Sequence, residues 1–162
     1  QKVRRVVEIG SHLGESAAIF ATYFPEVYCV DTWGERELTA IHIDIPGLDI
    51  PNEEVEKSFD IRMGLSGGRI CKVKKASPKA AANFPDRYFD LVYIDGAHDY
   101  ESVAADLDGV LRLGVPWILV DDWWPLLGPG VRKAAPTKHR NHTWRRYVVT
   151  LRRSIMPTRL SP

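Results

Sequence analysis

Apolar positions along this chain follow two different periods, and the alternation between them predicts most of its elements. Short β-branched or apolar runs occupy residues 3–9, 27–30, 70–73, 89–94 and 117–120, and such near-continuous runs read as central strands buried on both faces. Between them lie stretches of helical spacing. Residues 15–23 mix small and apolar side chains, and from 100 to 113 Val103, Leu107, Val110 and Leu111 line one face. Gly10 stops the first strand, Pro25 closes the first helix and Asp31 ends the second strand. Residues 32–68 are broken by Pro46, Gly47 and Pro51 before a helix at 53–63, and part of this stretch reads as a lid or active-site loop. Ser77-Pro78 is suited to cap a short helix through Phe84, with proline in its first turn. Beyond Gly128-Pro129-Gly130, a loop, the pattern allows at most a short helix at 131–135 and a last strand at 144–151. Strands alternating with helices predict an α/β fold of Rossmann-like type: a mostly parallel sheet with helices on both faces, and a final C-terminal strand expected to run antiparallel.

The strands at 89–94 and 117–120 both run out into acids, and this gives the pattern chemical content. Asp95 follows the first, and Asp121 and Asp122 follow the second. If the two strands are neighbours, the carboxylates meet at one sheet edge, where they repel one another unless a cation neutralises them. Mg²⁺, Mn²⁺ or Ca²⁺ would do so. The alternative is that Asp121 faces inward to backbone N–H groups while Asp122 is solvated. His98, three residues beyond Asp95, is placed either as a general base or as a hydrogen-bonded structural residue. Asp99 suits the N-cap of the next helix, and Tyr93 reads as core.

A second candidate half-site surrounds the first strand's end. Glu8, Gly10, Ser11, His12 and Gly14 form a glycine turn before a helix, whose N–H groups can receive a pyrophosphate or the carboxylate of an amino-acid-like ligand. The spacing is G-x-x-x-G rather than the dinucleotide G-x-G-x-x-G, so a plain tight turn is equally compatible. Asp31, at the end of the second strand, is placed to accept ribose hydroxyls. Trp33 either lies along an adenine face or packs half-buried. His42, His139 and His142 have no partners at metal-ligand spacing, and no P-loop, G-x-S-x-G or HExxH is present.

The 162 residues, 44% of them apolar, suffice for one sizeable core, and we expect one domain over 1–162. No window suits a membrane span and the start lacks a signal-peptide core, which leads to the expectation of a cytoplasmic protein. Cys29 and Cys71 read as buried thiols. The net charge is only +1, but residues 123–162 hold nine Lys or Arg and no acid, against 13 basic and 21 acidic residues before them. A basic tail of this kind attracts phosphate or nucleic acid, while pairing with the acidic half is the simpler use; nucleic acid is disfavoured as a partner and a homo-oligomer is left open.

Taken together, Val7-Glu8-Ile9-Gly10-Ser11-His12-Leu13-Gly14-Glu15-Ser16, Val30-Asp31-Thr32-Trp33-Gly34 and Phe89-Asp90-Leu91-Val92-Tyr93-Ile94-Asp95-Gly96-Ala97-His98-Asp99-Tyr100, with Val103, Asp106, Asp121-Asp122 and Pro129-Gly130-Val131-Arg132-Lys133-Ala134, resemble class I S-adenosylmethionine-dependent methyltransferases. The narrower resemblance is to the metal-dependent sugar and macrolide O-methyltransferase branch with its cephalosporin-hydroxylase-like relatives. It implies that Glu8, Gly10, Ser11 and Gly14 surround the methionine end of S-adenosylmethionine, that Asp31 holds the ribose, and that Ser77 approaches the adenine. Asp95, Asp121 and Asp122 match the family's metal ligands and His98 its general base, with Asp121 standing where the family often carries Glu. The chain would be a compact member, or one lacking N-terminal cover helices. The implied reaction is methyl transfer to a small-molecule hydroxyl of a sugar, polyol or natural product. Two other readings remain: a non-catalytic cofactor- or partner-binding domain that kept the fold, and a nucleic-acid methyltransferase.

Overall fold

The computed structural model describes residues 2–34, 50–121, 133–134 and 148–149. Its described elements follow in the order β1 (Arg5–Ile9), α1 (Glu15–Tyr23), β2 (Glu26–Asp31), α2 (Asn52–Leu65), β3 (Ile70–Lys74), α3 (Ser77–Ala81), β4 (Leu91–Ile94), α4 (Tyr100–Arg112), β5 (Trp117–Val120) and β6 (Val148–Val149). The strands form one sheet in the order β3-β2-β1-β4-β5-β6, and every pairing in it is parallel. The chain winds outward from β1 to β3, then returns to the other side of β1 with β4. The topological switch point therefore lies between β1 and β4, where the C-terminal strand ends of an open α/β sheet leave a crevice.

Period-two alternation divides the strand side chains between two cores. Val7, Ile9, Val92, Ile94, Ile118 and Val120 face α3 and α4, and meet Val103, Leu107 and Val110 of α4 there. Val27, Cys29 and Ile70 face the other way, onto Ala17 and Ala21 of α1 and Val55 and Phe59 of α2. The small residues of α1 let that helix lie close to the sheet. Phe59 fills the space α2 leaves, fully buried, so truncating it would cost about 3–5 kcal/mol. Asp99 caps α4 as expected, its Oδ1 accepting the Ser102 N–H at 2.9 Å.

Three expectations change. The final strand is parallel rather than antiparallel: Ile118 pairs with Val148 and Leu119 with Val149. The intervening stretch is long enough for the crossover that a parallel pair requires, and the side-chain pattern alone does not encode strand direction. The helix after β3 ends at Ala81, and Ala76 rather than Ser77 occupies its cap position. Ser77 instead donates its hydroxyl to Asp106 on α4, because a carboxylate buried there needs a donor more than a helix end at the surface does. The lid expected within 32–68 falls largely on residues outside those described. So do the 128–130 loop and most of the basic tail, with Lys133 and Ala134 in a helical conformation. Both cysteines are free thiols, Cys29 buried and Cys71 half-buried. No helix among the described residues is long and apolar enough to cross a membrane.

Candidate functional site

Parallel register decides which side chains share the crevice. The last rungs of the ladder pair Ile9 with Val30, Ile9 with Ile94, and Ile94 with Val120. One residue further on, Asp31, Gly10, Asp95 and Asp121 stand in a row across the C-terminal ends of β2, β1, β4 and β5. Backbone bonds extend the ladder to them: Gly10 N–H to Val30 O, Asp95 N–H to Ile9 O and Asp121 N–H to Ile94 O, each 2.9 Å.

The loop over β1 is shaped from both sides. Gly10 has φ +87°, and a Cβ there would lie 2.3 Å from the Asp95 carbonyl oxygen and 2.6 Å from Gly96 Cα, so the loop sits directly on the backbone leaving β4. Asp31 ties the other side. Its Oδ2 accepts the His12 N–H at 2.9 Å and its Oδ1 the Trp33 N–H at 3.0 Å. Each oxygen keeps a lone pair for a further donor. The Gly14 N–H closes the turn onto Ser11 O at 2.7 Å, and no side chain caps α1 behind it. Trp33 lies beneath the loop, 6% exposed, with its indole N–H on His12 O and its ring 4.5 Å from that of Phe59. Its burial and these contacts make it part of the support of the loop.

Under the loop, Glu8 is wholly buried in β1. Burial raises its pKa to about 7, against the opposing influence of Ser16, Ser11 and Cys29. The Cys29 thiol donates to Oε2 at 3.6 Å, whereas Glu8 Oε1 and Ser11 Oγ, though Ser11 lies close enough to act on the carboxyl, meet no partner in good hydrogen-bond geometry among the described residues. Two buried polar atoms without partners at a glycine loop are what a bound polar ligand would satisfy.

Across the switch point the acids converge as the strand pattern anticipates. The Tyr93 hydroxyl donates to Asp121 Oδ2 at 2.6 Å and lies 3.2 Å from Asp95 Oδ2. Burial first, then Asp121, pushes the Tyr93 phenol well above its ordinary range. His98 Nε2 is 3.9 Å from Asp95 Oδ1, in a side chain 36% exposed. Asp122 lies outside the described residues, and among those described no three His, Cys, Asp or Glu side chains are arranged so that they could hold a metal ion. Two carboxylates on one edge suit the beginning of a hard-cation shell without completing it.

Ser77, expected at the adenine, begins α3 and is held by Asp106, whose pKa burial raises to about 6. The residues that sequence reasoning passed over are Tyr93, assigned only to the core, and Ser16 and Cys29 around Glu8. Parity carries the signal for Tyr93, since it shares a strand face with Asp95. Cys29 could have been placed by its pairing opposite Glu8.

A family model for a methyltransferase domain matches residues 7–130. The chain belongs to the methyltransferase domain family. The parallel sheet with its loop at the switch point fits that family. Likeness to a solved O-methyltransferase structure supports the fold. The apo form of CalS11, a TDP-rhamnose 3′-O-methyltransferase of calicheamicin biosynthesis, aligns at TM-score 0.54 and 18% identity over 83% of this chain and 62% of that one. A phosphoethanolamine N-methyltransferase of Haemonchus contortus, solved with phosphoethanolamine and S-adenosylhomocysteine, aligns at 0.49 and 16% over 72% and 20%. The precorrin-8w decarboxylase of Methanobacterium thermoautotrophicum aligns at 0.43 and 18% over 69% and 47%. This methyltransferase domain thus spans less than two thirds of each of these chains. No curated protein sequence matches it.

Proposed function

We propose that this methyltransferase domain binds S-adenosylmethionine over residues 10–14 and transfers its methyl group to a hydroxyl of a small molecule, a sugar, polyol or natural product. The observation that carries the reading is the row of Asp31, Gly10, Asp95 and Asp121 across four adjacent strand ends, with His98 beside Asp95. Glu8, Gly10, Ser11 and Gly14 would surround the methionine end, with the unpartnered Glu8 Oε1 and Ser11 Oγ near it. Asp31 would accept the ribose hydroxyls on the lone pairs its backbone bonds leave. Trp33 would support that subsite from below, and Ser77 would border the adenine.

His98 takes the proton of the acceptor hydroxyl while that oxygen forms a bond to the methyl carbon and the carbon–sulfur bond breaks, leaving S-adenosylhomocysteine. A divalent cation, which Asp95, Asp121 and Asp122 would hold, supplies acidification and orientation of that hydroxyl when bound. Likeness in fold to a TDP-rhamnose 3′-O-methyltransferase supports a sugar hydroxyl as the acceptor.

Calorimetry with S-adenosylhomocysteine, with and without Mg²⁺, tests the reading. Binding is expected, and its absence in both conditions overturns the proposal. Binding without transfer to any hydroxyl acceptor would leave a binding-only domain. Where transfer is measured, His98→Ala should lower kcat by about 100-fold or more; transfer that survives both EDTA and His98→Ala removes the cation and the base from the mechanism.

A further inference from the structure

Tyr93 pairs with Glu8 on β1 and with Leu119 on β5. Asp95 and Asp121 stand two residues beyond Tyr93 and Leu119, so all three polar groups share one face of the sheet at adjacent strands. The Tyr93 ring is fixed from the other side, edge-on to Phe20 of α1 with ring centroids 5.3 Å apart, and the residue is only 5% exposed. Burial and this contact restrict the ring, so its hydroxyl offers the two carboxylates a common point to bond. One hydroxyl hydrogen serves two acidic neighbours, at 2.6 Å and 3.2 Å. That hydrogen offsets the repulsion that would turn Asp95 and Asp121 away from each other.

We propose that Tyr93 is a positioning residue of the methyl-transfer site, its hydroxyl fixing the direction and separation of the Asp95 and Asp121 carboxylates. The inference rests on the methyltransferase reading above. Through Asp95, Tyr93 also sets the neighbour that His98 faces. A phenylalanine would fill the same packing against Phe20 and lack only the hydroxyl, whereas a purely structural tyrosine would reveal itself through stability alone.

Wild type and Tyr93→Phe, both ¹³C-labelled at aspartate carboxyls, are compared by NMR, together with S-adenosylhomocysteine calorimetry and methyl-transfer kinetics. The carboxyl signals of both Asp95 and Asp121 should shift in the variant while those of distant aspartates such as Asp90 stay in place. The Kd for S-adenosylhomocysteine should stay within about twofold, and kcat should fall by about tenfold or more with little change in the cofactor KM. Unmoved Asp95 and Asp121 signals, or an unchanged kcat in a variant that binds cofactor normally, overturn the role. Absence of S-adenosylhomocysteine binding by wild type would instead sink the methyltransferase reading, and the carboxyl signals alone would then decide whether Tyr93 positions the pair.

Discussion

The carboxyl of Glu8 lies out of water in a central strand, and burial raises its pKa from 4.5 to about 7 in spite of Ser16, Ser11 and Cys29 nearby. The folded state therefore keeps a proton that the unfolded chain releases. Stability from this residue is greatest below about pH 4.5 and is lost as pH rises through about 7, a cost on the order of 3 kcal/mol above that window. Asp106 is raised by burial too, to about 6, so wild type alone cannot separate the two. The difference between Glu8→Gln and wild type can. In urea unfolding from about pH 4 to about pH 8, the variant should gain on wild type by on the order of 3 kcal/mol. A difference that stays flat across this range would show that Glu8 titrates normally. Ionised Glu8 is then a state that a cationic ligand group at the loop would favour.

Among the described glycines, Gly10 in the β1–α1 connection meets the closest backbone contacts, and Gly64 in α2 shows the contrast. At Gly10 a methyl group would meet backbone atoms of Asp95 and Gly96, which cannot rotate aside, and φ is +87°. Gly64, inside α2, has nothing within 4 Å of its added Cβ. Gly10→Ala should destabilise the domain by about 3 kcal/mol or more through overpacking and left-handed strain, whereas Gly64→Ala should stabilise it by about 0.5–1 kcal/mol. Thermal unfolding of both measures this; a mild Gly10→Ala would mean that the loop can lift off β4. The elements themselves were legible because period and punctuation agree: β-branched runs end at Gly10 and Asp31, and the α4 stripe follows an Asp99 cap. Where two local rules compete the reading fails. Ser77-Pro78 has the form of a cap, but Asp106, distant in sequence, takes the Ser77 hydroxyl. Direction was illegible for β6, since Val148 and Val149 look the same from either end.

At the scale of the whole molecule, the sequence announces which residues end strands but not which strands adjoin. The convergence of Asp95 and Asp121 was conditional until β4 and β5 proved neighbours, and the Tyr93 bridge between them needs parity and register together. Asp31 illustrates the same limit. Its place at a strand end suggests a ribose contact, and its bond to the Trp33 N–H is a local turn, while its bond to the His12 N–H exists only because β2 lies against β1. Under the proposed function Asp31 would couple fold to cofactor, and a control on the opposite face separates the two roles. Tyr28 and Tyr88 share a hydrogen bond of 2.7 Å within the α3/α4-side aromatic cluster. Tyr88→Phe should cost about 1 kcal/mol, and Asp31→Asn about 2–4 kcal/mol, because an amide puts a donor against a backbone N–H. S-adenosylhomocysteine at about 100 times its Kd stabilises a binding-competent domain by about 2.7 kcal/mol. Tyr88→Phe should retain that gain in full, and Asp31→Asn should lose most of it at the same ligand concentration, both read from melting curves with and without ligand. If Asp31→Asn melts lower yet keeps the whole ligand-induced gain, the carboxylate only ties the loop, and the ribose must find its acceptors elsewhere along the row of strand ends.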